Sequence, residues 1–393
     1  MPWYPRVLAA VRAAVPALAP TQATNLALLT SAILAKRTLC LSDLARAYPV
    51  AAERRVPRPK HDLLHRLKRL WRFVDNARVD PVAVQAALVP EVVARLGCPA
   101  RLGLAIDWTM FDVTLPGGRR IRYQVLRIAI PRRGRALPLL QVAYDRDHLP
   151  ADRSQNQLEE AALDAVLRAL PTGVRAVVLA DRGFARATFL EWLQRHPARP
   201  EFVVRVDRGT CLTEPDGRRW RLGTEGLALG QLRWAPGVRS TLYHGRPRDL
   251  VVNVALCWRA STRRASRRPH RVPAEPWYLA TSLDRAEQAV AWYWQRGWIE
   301  QSFKDSKSRF GLKHVRVGCP QRLSRLLAAL TCALAWLTLA ALPELRALPH
   351  TWATRVAQWG RPSLITLALD LLDHLRDLPP ACLPPPARSG GYA

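Results

Sequence analysis

The chain has 393 residues, 49% of them hydrophobic, and a formal net charge of +29. This length is enough for two or three domains with at least one sizeable core. The charge predicts a polyanionic partner, and it indicates nucleic acid. The seven cysteines are scattered without ligand spacing, which argues against a disulfide scaffold or a zinc site and favours reduced thiols.

Residues 1–98 are predicted to be helical, with a break at residues 38–41. The segment HDLLHRLKRLWRFVDN is typical of an amphipathic helix, with basic residues around its polar side. Its apolar face consists of Leu63, Leu67, Leu70 and Val74. Such a helix could be the solvated side of a small bundle, but its density of basic residues favours a helical N-terminal DNA-binding domain over residues 1–98.

The sequence pattern changes from helical to strand-rich over residues 99–206. Three apolar runs, LGLAIDWTMFDVTL, RIRYQVLRIAIP and ALPLLQVAYD, predict a three-stranded antiparallel meander. A helix, a fourth strand (VRAVVLADRGF), another helix and a fifth strand (EFVVRVD) follow. This order predicts a mixed α/β fold of the ribonuclease-H-like type, with residues 99–206 as its first part.

The pattern becomes strand-rich again over residues 207–276, which predicts a β-rich insertion. The run WYLATSLD then predicts a strand that returns to the main domain, whose second part is residues 277–345. Trp220, Trp234 and Trp258 of the insertion are candidates for stacking on an unpaired base, although a core position is the commoner role of a tryptophan. Residues 346–393 are predicted to be short helices and a disordered Pro-rich tail.

An uncharged run over residues 326–342 is at the short edge of what a membrane-spanning helix needs. Because it is single and rich in alanine, we interpret it as a buried helix that Pro343 and Glu344 close, and we expect no membrane association. Cell fractionation would test the membrane alternative.

One short segment carries more chemical information than the rest of the chain. Residues at intervals of three and four recur in it, and on a single α-helix they would form one stripe: Tyr293, Arg296, Glu300, Lys304 and Lys307. A carboxylate, three cations and a phenol make a poor core face. They make a good surface for a phosphodiester with a metal ion beside it.

Two further carboxylates lie on or just after predicted strands, Asp107 on the first and Asp181 after the fourth. Asp107 ends the apolar run LGLAI, and Asp181 ends VRAVVLA. With Glu300 they supply the converging acids that two-metal phosphoryl transfer requires. The competing interpretations are a strand-end turn residue for Asp107, with Asp112 as the alternative acid, and a loop acid stabilised by Arg182 for Asp181.

The spacing of Tyr293, Arg296, Glu300 and Lys307 resembles the Y-R-E-K signature of the IS-four type of bacterial insertion-sequence transposases, which belong to the DDE superfamily. The resemblance extends to DRGF after the fourth strand, to AIDWT at the first, to the N-terminal run RLKRLWRFVDN and to the long strand-rich insertion. It therefore covers most of the chain.

The resemblance implies a DNA transposase that cuts insertion-sequence ends and joins them to target DNA. Asp107, Asp181 and Glu300 would be the catalytic triad and would hold two Mg²⁺ or Mn²⁺ ions. Tyr293, Arg296 and Lys307 would bind DNA phosphates, and the helical stripe adds Lys304 to this set.

The resemblance also implies double-stranded DNA partners, the terminal inverted repeats and the target. It further implies a homodimer on DNA and a cytoplasmic, nucleoid-associated location. The alternatives are a metal-dependent nuclease without strand transfer and an inactive, transposase-derived DNA-binding protein.

Overall fold

A computed structural model describes residues 3–47, 59–132, 134–150, 152–224, 226–241, 250–258, 275–347 and 369. Residues 370–393, which include the predicted disordered tail and Cys382, lie outside the described residues. The other six cysteines form no disulfide bonds with one another.

The described residues before residue 99 form helices, as predicted. Its helices are α1 (Tyr4–Ala14), α2 (Pro20–Lys36), α3 (Leu41–Arg46), α4 (Pro59–Asp75) and α5 (Pro81–Arg95). The expected break falls between α2 and α3. The apolar side of α4 also faces inward as predicted, since Leu70 and Val74 are buried and Leu63 and Leu67 pack against the same core.

The next elements confirm the predicted meander and the alternation that follows it. They are β1 (Arg101–Thr114), β2 (Arg120–Arg132), β3 (Arg135–Asp145), α6 (Gln155–Arg168), β4 (Arg175–Ala180), α7 (Ala187–Arg195) and β5 (Glu201–Arg205). The strands β1, β2 and β3 pair antiparallel, and β4 pairs parallel to both β1 and β5.

The insertion adds strands to the edge of the same sheet. Its strands are β6 (Cys211–Thr213), β7 (Arg219–Arg221), β8 (Leu232–Thr241) and β9 (Val251–Cys257), and β10 (Trp277–Thr281) follows them. The resulting ten-stranded sheet has the order β3-β2-β1-β4-β5-β10-β9-β8-β6-β7. The pairing of β8 with β9 is irregular between Ala235 and Val238.

The strand β10 returns to the main sheet as predicted, because it pairs antiparallel with β5 on one side and β9 on the other. The chain then continues into α8 (Ala286–Arg296) and α9 (Trp298–Ser308). Gly297 closes one helix and opens the other. The single helix expected for the stripe is therefore wrong, since glycine is a weak helix former and allows the axis to change direction.

The last described helix is α10 (Pro320–Ala347). It continues past Pro343, so the expected closure there is wrong: a proline removes one helical hydrogen bond without forcing an end. By length and composition, residues Pro320–Leu339 could cross a membrane, but 89% of that window is buried inside the protein. The apolar run is therefore a core helix.

The sheet separates two hydrophobic cores. Alternate residues of the central strands, such as Ala105, Leu179 and Val203, pack under α8 and α9. The intervening residues pack with α6, α7, α10 and the N-terminal helices. On the first face, a Cβ atom at Gly103 would lie 2.9 Å from the ring of Trp292, so glycine allows α8 to approach β1 closely.

Candidate active site

Two of the predicted acids are neighbours in the sheet. Asp107 lies in the middle of β1, and Asp181 directly follows β4. These two strands pair parallel with Ala105 opposite Leu179. Continuing that register by two residues places Asp107 beside Asp181, so the topology alone brings the two carboxylates to one point of the sheet.

The third acid, Glu300, comes from the helices that pack on one face of the sheet. Arg296 is the last residue of α8, and Glu300 lies in the first turn of α9. An ion pair of 2.9 Å between Arg296 Nη1 and Glu300 Oε1 crosses the joint at Gly297. The joint therefore fixes where Glu300 stands relative to the sheet.

Arg296 forms ion pairs with all three carboxylates. Its Nη2 atom lies 2.9 Å from Asp107 Oδ2 and 3.0 Å from Asp181 Oδ2, while its Nη1 atom contacts Glu300. The side chain of Arg296 is 11% exposed, and those of Asp107, Asp181 and Glu300 are 14%, 37% and 53% exposed. The three acids that surround this cation thus become more exposed from Asp107 through Asp181 to Glu300.

The electrostatics of this cluster follow from its burial. Burial raises the pKa of Asp107 to about 6, with Arg296 opposing the rise and Asp181 adding to it. For Arg296, burial lowers the pKa, but the nearby acids, Asp107 first, outweigh it and hold the pKa above its usual value. Arg296 is therefore charged at neutral pH and neutralises part of the acidic cluster.

The carboxylate oxygens suit a hard divalent cation in their chemistry. In this arrangement, however, no group of three or more His, Cys, Asp or Glu side chains among the described residues stands ready to hold a metal ion. The reason is geometric: the carboxylates converge on the guanidinium and not on a common vacant point. The carboxylate chemistry of Asp107, Asp181 and Glu300 suits a divalent ion, but the Arg296 guanidinium lies between them here.

The other members of the predicted stripe occupy different environments. Tyr293 is 6% exposed and packs edge-on against Trp277, and burial raises the pKa of its phenol to about 12. Lys304 is exposed. Lys307 donates a 3.0 Å hydrogen bond from Nζ to the Met110 carbonyl of β1. The structure therefore places Lys304 in solvent, Lys307 against β1 and Tyr293 in the core.

The competing interpretations of the acids can be compared with the structure. Asp112 is exposed and pairs with Arg122. It lies an odd number of residues from Asp107 on β1, so its side chain points to the opposite face of the sheet. Arg182 pairs with Asp207 and Glu275. Asp181 instead accepts a 2.9 Å hydrogen bond from the backbone N–H of Gly183, which holds its loop.

Sequence reasoning missed a buried carboxylate below the site. Glu159 on α6 accepts a 2.6 Å hydrogen bond from the indole of Trp108 and pairs with Arg186. Trp108 directly follows Asp107, and Arg186 lies in the loop after Asp181, so one side chain links the supports of both acids. The available signal was a glutamate in register with Leu163 and Val166 on the apolar side of its helix.

A cavity of about 580 Å³ lies beside Arg182, the residue that follows Asp181. Its wall includes three arginines, two aromatic residues and one acid: Arg182, Arg205, Arg208, Trp258, Tyr278 and Glu275. The buried indole N–H of Trp258 has no hydrogen-bond acceptor among the described residues. Trp258 is thus the one of the three proposed stacking tryptophans that borders this cavity.

The chain was compared with known proteins. No curated protein matches it. The family model described as the transposase DDE domain matches residues 99–336, which is more than half of the chain and includes β1 through most of α10. Asp107, Asp181 and Glu300 all lie within the matched part. The chain belongs to the transposase DDE domain family.

Proposed function

We propose that this protein is an insertion-sequence transposase of the IS-four type, which cuts the ends of its element and joins them to target DNA. Family membership supports a transposase role and DNA as a partner in general terms. The observation that carries the finer proposal is the convergence of Asp107, Asp181 and Glu300 on a single cation. The spacing of Tyr293, Arg296, Glu300 and Lys307 supports the IS-four type.

Transposase DDE domains generally use divalent metals, and in this proposal Asp107, Asp181 and Glu300 hold two Mg²⁺ or Mn²⁺ ions. When bound, these ions would supply activation of a water nucleophile and stabilisation of the leaving oxygen. Two divalent ions would neutralise the three carboxylates more fully than one guanidinium does. Arg296 must therefore leave its position between the acids, and it then becomes available to a DNA phosphate.

The remaining protein groups have positioning roles in the proposed reaction. Water attacks the phosphodiester at the transposon end, a P–O bond forms as the old one breaks, and a 3′-hydroxyl is released. That hydroxyl is the next nucleophile, on the opposite strand or on target DNA. Lys304 and Lys307, which follow Glu300 at intervals of four and three residues on α9, would hold DNA phosphates. Because Tyr293 is buried, its proposed phosphate contact is the least accessible of the four.

The domain roles are part of the same proposal. Residues 1–98 would recognise the terminal inverted repeats, and residues 99–206 and 277–345 would form the catalytic domain around the insertion at 207–276. On α4, Lys68 and Arg72 are exposed and available to phosphates. Two protomers would hold two DNA ends, and the protein would work in the cytoplasm on the nucleoid.

The cavity beside Arg182 supports a specific role for Trp258. An indole face between arginine side chains suits an unpaired base and its phosphate. We expect Trp258→Ala to reduce the fluorescence change of 2-aminopurine placed in the terminal bases of the transposon end. Trp234→Ala, outside this cavity, serves as the matched control. Equal signals in both variants would refute the stacking role.

The test of the function is a cleavage and joining assay. A labelled duplex that carries the flanking inverted repeat is incubated with the protein, Mg²⁺ or Mn²⁺, and a target plasmid. We expect metal-dependent nicking at the repeat boundary and joined product, both lost in Glu300→Gln and retained in Glu287→Gln, an exposed acid of α8. Nicking without joined product would support the nuclease alternative. Binding without cleavage in every variant would leave a DNA-binding relic.

A further inference from the structure

A second arginine, Arg127, lies fully buried beneath the candidate active site. It stands on β2 directly opposite Asp107 of β1 in the antiparallel register. Directly opposed residues of neighbouring strands project from the same face of a sheet. Arg127 therefore points toward the face that α8 and α9 cover, next to the first acid of the triad.

The guanidinium of Arg127 joins the sheet to α9. Its Nη1 atom donates a 2.8 Å hydrogen bond to Ser302, and its Nη2 atom donates another of 2.8 Å to Ser306. Its Nε atom donates a 3.0 Å hydrogen bond to Gln141 of β3, which lies opposite Arg127 in the sheet. The guanidinium also sits 4.2 Å from the ring centroid of Phe303.

The two serines transmit this contact into the helix backbone. Ser302 donates to the carbonyl of Ile299, and Ser306 donates to the carbonyl of Ser302. Each hydroxyl therefore has both a donor and an acceptor partner, which leaves it one orientation. The first turn of α9, which carries Glu300, is tied through these bonds to the strand beside Asp107.

Packing alone does not require this arrangement. The hydrogen-bond partners of Arg127 in the described residues are neutral, since the nearby Asp305 pairs with Arg135 and Arg309. Burying a charge without a direct countercharge is unfavourable, whereas an apolar side chain of similar volume would fill the space without that cost. The guanidinium adds fixed hydrogen-bond geometry, because its planar fork contacts β3 and two successive turns of α9 at once.

We propose that Arg127 is a positioning residue that sets the distance of Glu300 from Asp107 and so aligns the divalent-metal site. This inference rests on the proposed function, because it assumes that the three acids bind metal. Side chains that orient metal ligands from behind commonly change metal affinity by 10- to 100-fold when they are removed.

The test removes the contacts on the helix side and leaves the buried charge in place. Ser302→Ala, Ser306→Ala and their combination are compared with Ser324→Ala. Ser324 is also a buried helical serine that bonds a strand, since it accepts a 2.9 Å hydrogen bond from the Ala143 N–H, but it lies on α10. Mn²⁺ affinity is measured from the signal of free Mn²⁺ in electron paramagnetic resonance, and Tm by circular dichroism.

We expect the combined α9 variant to bind Mn²⁺ about tenfold more weakly than the wild type, and Ser324→Ala to bind it within about twofold while losing a similar amount of Tm. Equal Mn²⁺ affinity in the two variants would overturn the positioning role, because a purely structural contact lowers Tm without changing the affinity of the folded protein. A different result marks failure of the proposed function: Mn²⁺ binding to the wild type that Glu300→Gln leaves unchanged.

Discussion

Arg296 and Arg127 flank Asp107 from two sides, yet their surroundings differ. Arg296 stands among three carboxylates, near solvent. Arg127 is fully buried, and its hydrogen-bond partners in the described residues are an amide oxygen and two hydroxyls. The first environment keeps excess negative charge, which favours exchange of the guanidinium for a more highly charged cation. The environment of Arg127 has no paired countercharge among the described residues that would attract another cation, which favours a permanent link between β2 and α9.

The two arginines therefore have different roles: Arg296 lies in the reactive part of the site, and Arg127 lies in its support. Around Arg296, each carboxylate comes from a different part of the chain, so the cluster can rearrange when a cation enters. Around Arg127, the serines are also bonded to helix carbonyls, so a shift would break several hydrogen bonds at once. Substitutions near Arg296 should therefore change chemistry, and substitutions in the buried supports should change alignment or stability.

The largest effect is expected at Asp107. Asp107→Asn keeps the shape of the side chain but removes a charged ligand, so we expect metal-dependent cleavage to fall by more than about 100-fold. The measurement is the initial rate of nicking of the labelled transposon end. The matched control is Asp112→Asn, on the same strand and the opposite face, which should stay within about twofold. Comparable losses in both variants would contradict the assignment of Asp107.

A buried support should respond in stability. Glu159→Gln leaves Arg186 without its buried countercharge, so we expect the free energy of unfolding to fall by about 3 kcal/mol. Glu91→Gln breaks an exposed ion pair with Arg95 and should cost less than about 0.5 kcal/mol. Urea denaturation followed by circular dichroism measures both. A Glu159→Gln protein as stable as the wild type would show that this buried pair does not hold the site.

Arg296→Ala should separate metal binding from catalysis. Removing the resident cation leaves the acids unneutralised, so we expect Mn²⁺ to bind about tenfold more tightly in the absence of DNA. Cleavage should nevertheless fall, because a phosphate contact is lost. Calorimetric titration with Mn²⁺ gives the affinity, with Arg285→Ala, an exposed arginine that precedes α8, as the control. Weaker Mn²⁺ binding in Arg296→Ala would mean that the arginine supports the metal site and does not compete with it.

The smallest effect concerns pH. The pKa of Asp107, about 6, lies above its usual value near 4, so the folded protein holds a proton that the unfolded chain releases between these values. Without metal, the free energy of unfolding should therefore fall as pH rises through this window. Mn²⁺ affinity should fall about tenfold per unit as pH drops below 6, because the ion displaces one proton. An affinity that stays flat down to pH 5 would contradict this.

Much of the fold could be predicted from the sequence because local patterns of apolar and turn residues determine its strands and helices. The meander, the fourth and fifth strands and the buried nature of α10 follow from apolar periodicity and turn residues. Asp107 and Asp181 were predictable because each directly follows an apolar run in a strand. The joint at Gly297 was not, since intervals of three and four continue across it and a glycine does not by itself require a break.

The contacts within the site were harder to predict. Arg296 was predicted to bind phosphate, and this stays a prediction; in the structure its guanidinium pairs with the three acids, which the sequence alone did not indicate. Arg127 was missed because it is a single charged residue in an apolar run, and Glu159 because it stands beside Glu160 in an amphipathic helix. Only the tertiary structure shows the partners of either side chain. An arginine between Leu126 and Ile128 in a buried strand was the available signal.

The most direct test of the proposed metal site is an anomalous difference map from crystals of the protein grown with a transposon-end duplex and Mn²⁺. We expect two Mn²⁺ peaks bounded by Asp107, Asp181 and Glu300, with the Arg296 guanidinium withdrawn from the acids and against a DNA phosphate. Crystals of a cleavage-competent protein that show Arg296 still bridging the three carboxylates, with Mn²⁺ bound elsewhere, would contradict it.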